Sequence, residues 1–286
     1  MYKGRIEFMT PMWWFMAFAT TFLIGGATGV LLAVPAIDFQ VHNSLFLVAH
    51  FHNTIISGVV FGYLAGIAYW FPKIFGFRLH ERLGKAAVTC WVVGFLVTFI
   101  PIYILGFMGA TRRLDHYDPS LGWQSLFIVS GIGTIIIGLG VVLQVVQLGY
   151  SIWKRKELRD KTGDPWGGRT LEWSVPSPAP HYNFARLPLV TARDAFWEAK
   201  QTKRSLYSGP YTAFELPRNT GLSVWIGGFA CLFGFAVIWH LWWLAVFAII
   251  GVVVTLIRRT FEENIEYEVS AAEAKRHDVA ALKGNA

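Results

Sequence analysis

The chain has little charge and almost no cysteine. Only 15% of its 286 residues are charged, while 54% are hydrophobic and the mean hydropathy is positive. That composition excludes an ordinary soluble domain of this length. The two cysteines, Cys90 and Cys231, lie in separate apolar runs without C-x-x-C spacing. A disulfide framework and a cysteine zinc site are therefore excluded, and both thiols are expected to be small buried hydrophobes. Acidic residues are fewer than basic ones, 18 against 25, for a net charge of +7. No basic residue falls inside the long apolar runs, so the positive charge reads as membrane flanks and not as a nucleic-acid surface. The proline-rich stretch 152–218 holds no phosphate loop, acid–base carboxylate pair or nucleophile triad. The first residues carry Lys3, Arg5 and Glu7 ahead of a full-length apolar run, which does not fit a short cleavable signal sequence.

What is present is long apolar runs. Crossing a bilayer takes roughly 20 apolar residues, and on that rule spans are expected near 12–34, 44–71, 86–108 and 123–151. A further run of 37 residues, Gly221 to Ile257, would be about 55 Å long as one helix, nearly twice the bilayer. Two spans turning near His240 fit better. The predicted fold is an all-α, polytopic transmembrane helix bundle of about six spans. Its parts are a four-span half-bundle over 1–151, a cytoplasmic loop over 152–218 without a core, a helical hairpin over 219–258 and a cytoplasmic tail over 259–286. With the N-terminus inside, 23 of the 25 basic residues fall on inner segments, as the positive-inside rule requires. The aromatic and proline content of 152–218 suggests that it lies ordered along the inner face of the bundle.

Two histidines, His50 and His52, sit within the second apolar run. Positions two apart on a helix point about 200° from each other, so one rod can hold two separate partners. Ionisable side chains at membrane depth mark ion paths, proton relays or cofactors, and imidazole is a common axial ligand for haem iron. The pair therefore reads as a bridge between two metal macrocycles, or else as two hydrogen bonds to neighbouring helices. The outer loop 35–43 carries Asp38 and His42. The loop 109–120 reaches the same face and holds Arg112 and Arg113, the two basic residues outside the inner segments. Forked guanidinium recognition suits carboxylates, so these arginines could neutralise haem propionates; interfacial snorkelling is the alternative. Gly58, Gly62 and Gly66, four apart, predict a flat face for helix contact. His80, His116, His181 and His277 read as surface residues.

His42-Asn-Ser-Leu-Phe-Leu-Val-Ala-His50-Phe-His52-Asn, Gly106-Phe-Met-Gly-Ala-Thr-Arg112-Arg113 and Asp164-Pro-Trp-Gly-Gly-Arg-Thr-Leu-Glu-Trp173 together resemble subunit I of the haem-copper oxidases, most closely its cytochrome-o-type ubiquinol oxidases. The resemblance covers essentially the whole chain and is to the C-terminal half of that subunit. It implies that His50 is the ligand of a high-spin haem iron and His52 one of two ligands of a low-spin haem iron, with Phe51 between them. Arg112 and Arg113 would pair with propionates, while Asp38 and His42 would join the polar cluster above the high-spin haem. The cytochrome c oxidases usually carry Asp, a magnesium ligand, where Asn43 stands here, which favours the quinol branch. The family's copper ligands, its other low-spin haem ligand and its quinol contacts are not found in this sequence. The implied partners are the N-terminal half of subunit I, subunits II, III and IV, ubiquinol and oxygen, in a bacterial inner membrane. The implied activity is quinol oxidation coupled to reduction of oxygen to water and proton pumping. Three other readings stand beside it: a cytochrome c oxidase of the same superfamily, a haem-free proton-coupled transporter and a non-enzymatic membrane cytochrome.

Overall fold

A computed structural model describes residues 6–284, apart from the side chains of residue 277 and of 280–284. The expectations resting on Lys3, Arg5 and the side chains of His277 and Lys283 lie outside the described residues. Two compact units are present, one running to Pro180 and one from His181 to Gly284.

The first unit is a helical bundle of α1 (Thr10–Leu32), α2 (Pro35–Val41), α3 (Leu45–Ile55), a π-helical turn (Ile56–Phe61), α4 (Gly62–Phe75), α5 (Glu81–Phe107) and α6 (Gln124–Trp153). The first-turn amide of α1 finds its partner on another helix: Thr10 N donates to Glu81 Oε1 at 2.7 Å, which satisfies a group that a helix end otherwise leaves open. Segment 35–43, expected as a loop, is mostly the short helix α2, because Pro35 presets the first-turn φ and Asp38 lies in the first turn. The second span does not stop at residue 71. It runs through Pro72 to Phe75 and ends at Gly76, whose φ of 77° is the left-handed cap conformation that glycine adopts cheaply. Lys73 consequently lies inside an apolar helix, contrary to the expectation that such helices hold no basic residue.

Trp14, Ala17, Ala49, Phe61, Ala68, Val88, Phe95 and Phe99 form the core of this bundle. Helices in lipid are held by close packing and not by exclusion of water, so small residues matter at their crossings. A Cβ on Gly94 would lie 2.7 Å from Ile137 N, and one on Gly133 would lie 2.5 Å from Thr98 N, so α5 and α6 meet backbone to backbone. The glycine stripe of α4 and its preceding turn receives Phe22 at Gly58 and Phe18 at Gly62, both from α1, as expected of a packing face.

Residues 158–180 are not coreless. Trp173 and Val175 are buried, and Trp166 Nε1 donates to Tyr69 O at 2.8 Å.

The second unit holds α7 (Ala195–Thr202), β1 (Phe214–Pro217), α8 (Leu222–Ile238), α9 (Trp242–Thr260), β2 (Glu266–Val269) and α10 (Ala271–Gly284). The two strands pair antiparallel, Phe214 opposite Val269 and Pro217 opposite Glu266, a small departure from an all-helical chain. The expected hairpin is present. Its turn needs neither glycine nor proline, because His240 itself takes the left-handed conformation at φ 57°. Cys231 is exposed on α8 and not buried as expected, while Cys90 is half-buried. Ala195 and Leu206 are buried within this unit, and Tyr211 donates to Asp278 at 2.7 Å, which pushes the phenol pKa up.

Among the described residues, five helices are long and apolar enough to cross a membrane, and α8, with 17 residues, is a shorter apolar helix.

Candidate functional site

The helix that carries the histidines is fixed at its start by a side chain. Ser44 Oγ accepts from Phe46 N at 3.1 Å and donates to Val41 O at 2.6 Å, a serine N-cap of the usual kind. From that start α3 sends its two imidazoles to different neighbours. The His50 ring lies against α1, where a Cβ on Gly29 would be 2.9 Å from its Cε1, and its Nδ1 is 3.0 Å from Thr28 Oγ1. The His52 ring stacks on Phe99 of α5, with centroids 5.1 Å apart and planes at 22°, and its Nδ1 donates to Val48 O at 2.8 Å. Phe51 packs on His52 at 4.3 Å between centroids. Neither Nε2 has a hydrogen-bond partner among the described residues, so each ring offers one uncommitted nitrogen.

Directly after the pair the helix widens into a π turn, a rare form that recurs at functional sites. Buried Asn53 donates to Thr21 O of α1 at 2.9 Å, and Ser57 Oγ donates back to Asn53 O. The bond from Asn53 to Thr21 ties α3 to α1.

The outer ends of α3 and α5 are joined by backbone bonds. Leu45 N donates to Ala110 O at 2.8 Å and Arg112 N to Asn43 O at 2.9 Å, so the two loops that the sequence assigns to one face do meet. Arg112 directs Nε and Nη2 to Asn43 Oδ1 at 3.1 and 2.8 Å. Asn43 and Arg113 both adopt positive φ, 57° and 69°, and Arg113 is exposed. His42 Nδ1 lies 3.6 Å from Asp38 Oδ1 across one turn of α2, with both side chains exposed. No ion pair links either arginine to Asp38 among the described residues. Asn43 is neutral, so this forked bond does not offset the charge of Arg112. Farther along the loop, Tyr117 Oη donates to Thr111 O at 2.6 Å and burial pushes its pKa up. Hydrogen bonds from Ser120 hold the Asp118 carboxyl below the ordinary carboxylate range.

Three features escape a reading of the sequence. Thr28 reaches His50 from 22 residues away, and Tyr103, 75 residues from Thr28, brings its Oη to 3.1 Å from Thr28 Oγ1. Lys73 donates to the carbonyls of Gly163, Val175 and Pro176 at 2.7, 2.6 and 3.5 Å and lies over the Trp173 ring at 5.3 Å. Only its lone charge beside an apolar run hinted at it. The other histidines behave as surface or structural groups: His80 caps α5 by accepting from Leu83 N at 3.3 Å, His116 pairs with Asp115 at 3.0 Å, and His181 bonds Tyr267 at 2.9 Å.

Residues 1–136 match the family model described as cytochrome c and quinol oxidase polypeptide I. The chain is similar to cytochrome bo(3) ubiquinol oxidase subunit 1 of Buchnera aphidicola subsp. Schizaphis graminum, 50% identical over 273 residues, 96% of this chain and 41% of that one. It is 49% identical over 282 residues to a probable cytochrome c oxidase subunit 1 of Bradyrhizobium diazoefficiens, covering 97% of this chain and 42% of the relative. Against the ubiquinol oxidase subunit 1 of Acetobacter aceti the identity is 48% over 283 residues, with 96% and 42% covered. The chain thus spans about two fifths of the length of the relatives it matches.

Proposed function

The chain belongs to the subunit I family of the haem-copper cytochrome c and quinol oxidases, and from that premise we propose that it is the C-terminal part of subunit I of a bacterial quinol oxidase, with His50 and His52 as ligands to two haems. The observation that carries this is the state of the two rings. Each has Nδ1 within hydrogen-bond distance of an oxygen and Nε2 without a partner among the described residues, an arrangement that suits a histidine ligating a metal through Nε2. Gly29 fits the same role, because a side chain there would crowd the His50 ring. The haems, when bound, supply the redox chemistry and the oxygen-binding iron. His50 would hold the high-spin iron and His52 the low-spin iron, each through its Nε2. Phe51, between the two in sequence, would pack beside the groups they hold, as it packs on the His52 ring.

Arg112 supplies positive charge toward the haem carboxylates, positioned by Asn43 from behind, and Arg113 adds a second cation. Asp38 and His42 contribute polar groups at the same outer face. Among the described residues no cluster of three or more His, Cys, Asp or Glu could hold a metal ion. In this reading copper and the second low-spin ligand come from the N-terminal part of the subunit, and this chain acts in complex with it and with subunits II, III and IV, in the bacterial inner membrane. In that complex electrons pass from ubiquinol to oxygen, with proton translocation.

The test is optical, on the complex isolated through this chain. His50→Ala should abolish the carbon monoxide shift while leaving a low-spin signal, and His52→Ala should do the reverse; equal loss of both signals in each variant counts against separate roles. The cytochrome c branch stays in view because of the 49% identity to the Bradyrhizobium protein. Oxygen uptake supported by ubiquinol and not by reduced cytochrome c would assign the quinol branch, toward which Asn43 points.

A further inference from the structure

We propose that Thr28 and Tyr103 are positioning residues that set the tautomer of His50 and tune its strength as a metal ligand, an inference that rests on the ligand role of His50 proposed above. Three polar atoms surround Thr28 Oγ1: Gly25 O at 2.9 Å, His50 Nδ1 at 3.0 Å and Tyr103 Oη at 3.1 Å. The hydroxyl has one proton and two lone pairs. A carbonyl can only accept, so the proton goes to Gly25. Both remaining neighbours must then be donors, the phenol O–H of Tyr103 and the Nδ1–H of His50.

The consequence concerns the far side of the ring. A neutral imidazole protonated at Nδ1 carries its lone pair on Nε2, the nitrogen without a partner. The ligating tautomer is thereby fixed by a residue of α1 before any metal binds. His52 reaches the same tautomer by bonding Val48 O, an acceptor of its own helix. The two acceptors differ in kind. Val48 O is backbone and does not vary with the side chains, whereas Thr28 Oγ1 is shared with Tyr103, itself held edge-on by Phe46 at 5.1 Å.

Sharing has a definite sign. The hydrogen of Tyr103 draws electron density from Oγ1 and makes it a poorer acceptor for His50. A stronger pull on Nδ1–H makes the ring more basic and strengthens its bond to a metal. Loss of the phenol hydroxyl should therefore strengthen the metal–histidine bond, and loss of the threonine hydroxyl should weaken it.

The experiment is resonance Raman spectroscopy of the reduced complex, reading the iron–histidine stretching mode together with haem content. Tyr103→Phe should raise the mode's frequency, Thr28→Val should lower it, and Thr28→Ser, which keeps the hydroxyl, should restore the parent value. Phe at 103 and Ser at 28 nearly conserve volume, so they carry the test if Thr28→Val fails to assemble. A mode present in the parent but unmoved, or moved in one direction by both Tyr103→Phe and Thr28→Val, overturns the relay alone. Absence of the mode in a haem-containing parent overturns the ligand role of His50 and the relay with it.

Discussion

At Gly106 a single missing side chain lets two helices touch. The residue is buried in the last turn of α5, and a Cβ there would fall on the backbone of Phe46, where α3 begins. That contact aligns the start of the histidine helix with α5 and its outer loop, in which Leu45 N bonds Ala110 O. Gly106→Ala should push the two backbones apart at a cost of about 1–3 kcal/mol, the usual penalty for overpacking. A lowered melting temperature of the detergent-solubilised complex, with loss of haem before loss of helix, checks it. The sequence motif around Gly106 marked this region, but a glycine followed by two arginines does not disclose which backbone lies against it. Asn43 behaves alike. Its place next to His42 is legible, whereas its forked bond to Arg112 depends on a positive φ and on a loop 69 residues away.

Among the elements, α4 shows how a charge is accommodated in an apolar helix. The Lys73 ammonium has three protons and meets three carbonyls of segment 163–176, so helix and segment are tied at one point. Lys73→Met keeps the length but leaves buried acceptors unpaired, at about 1–3 kcal/mol. Hydrogen exchange over residues 160–178 should accelerate, while exchange in α5 should not. The hairpin of α8 and α9 makes a second case. Its ends are basic, with Arg218 before it and Arg258 and Arg259 at its close, and the turn at His240 has no charged residue. Cysteines substituted at 240 and 262 should react with an impermeant thiol reagent from opposite sides of a sealed vesicle. Labelling of both from one side would exclude a hairpin that crosses the membrane.

For the molecule as a whole, the governing fact is how much apolar surface each helix turns outward. Along α6, Ile132, Ile135, Leu139, Val142 and Val145 are exposed, a row that water would not tolerate on this scale and that lipid or neighbouring helices cover. The chain should accordingly stay with the membrane pellet through an alkaline carbonate wash, and its release into the supernatant would contradict the spans. Gly133, which with Gly94 of α5 brings the two helices together, is buried on another side of α6, so one helix shows both solutions to burial, packing inward and an apolar face outward.

Apolar run length, set by the thickness of the bilayer, was enough to locate the spans and the turn near His240, and helical periodicity was enough to separate His50 from His52. Both are local quantities, repeated along the chain and independent of what lies across from them. The end of α4 at Gly76 and the helix over 35–41 required capping and packing information that a hydropathy pattern does not contain. Which oxygen faces the Nδ1 of His50, what Lys73 binds and why Gly106 must be glycine were decided by tertiary structure alone. Each is a contact between residues far apart in sequence, and its energy exists only once the helices have met.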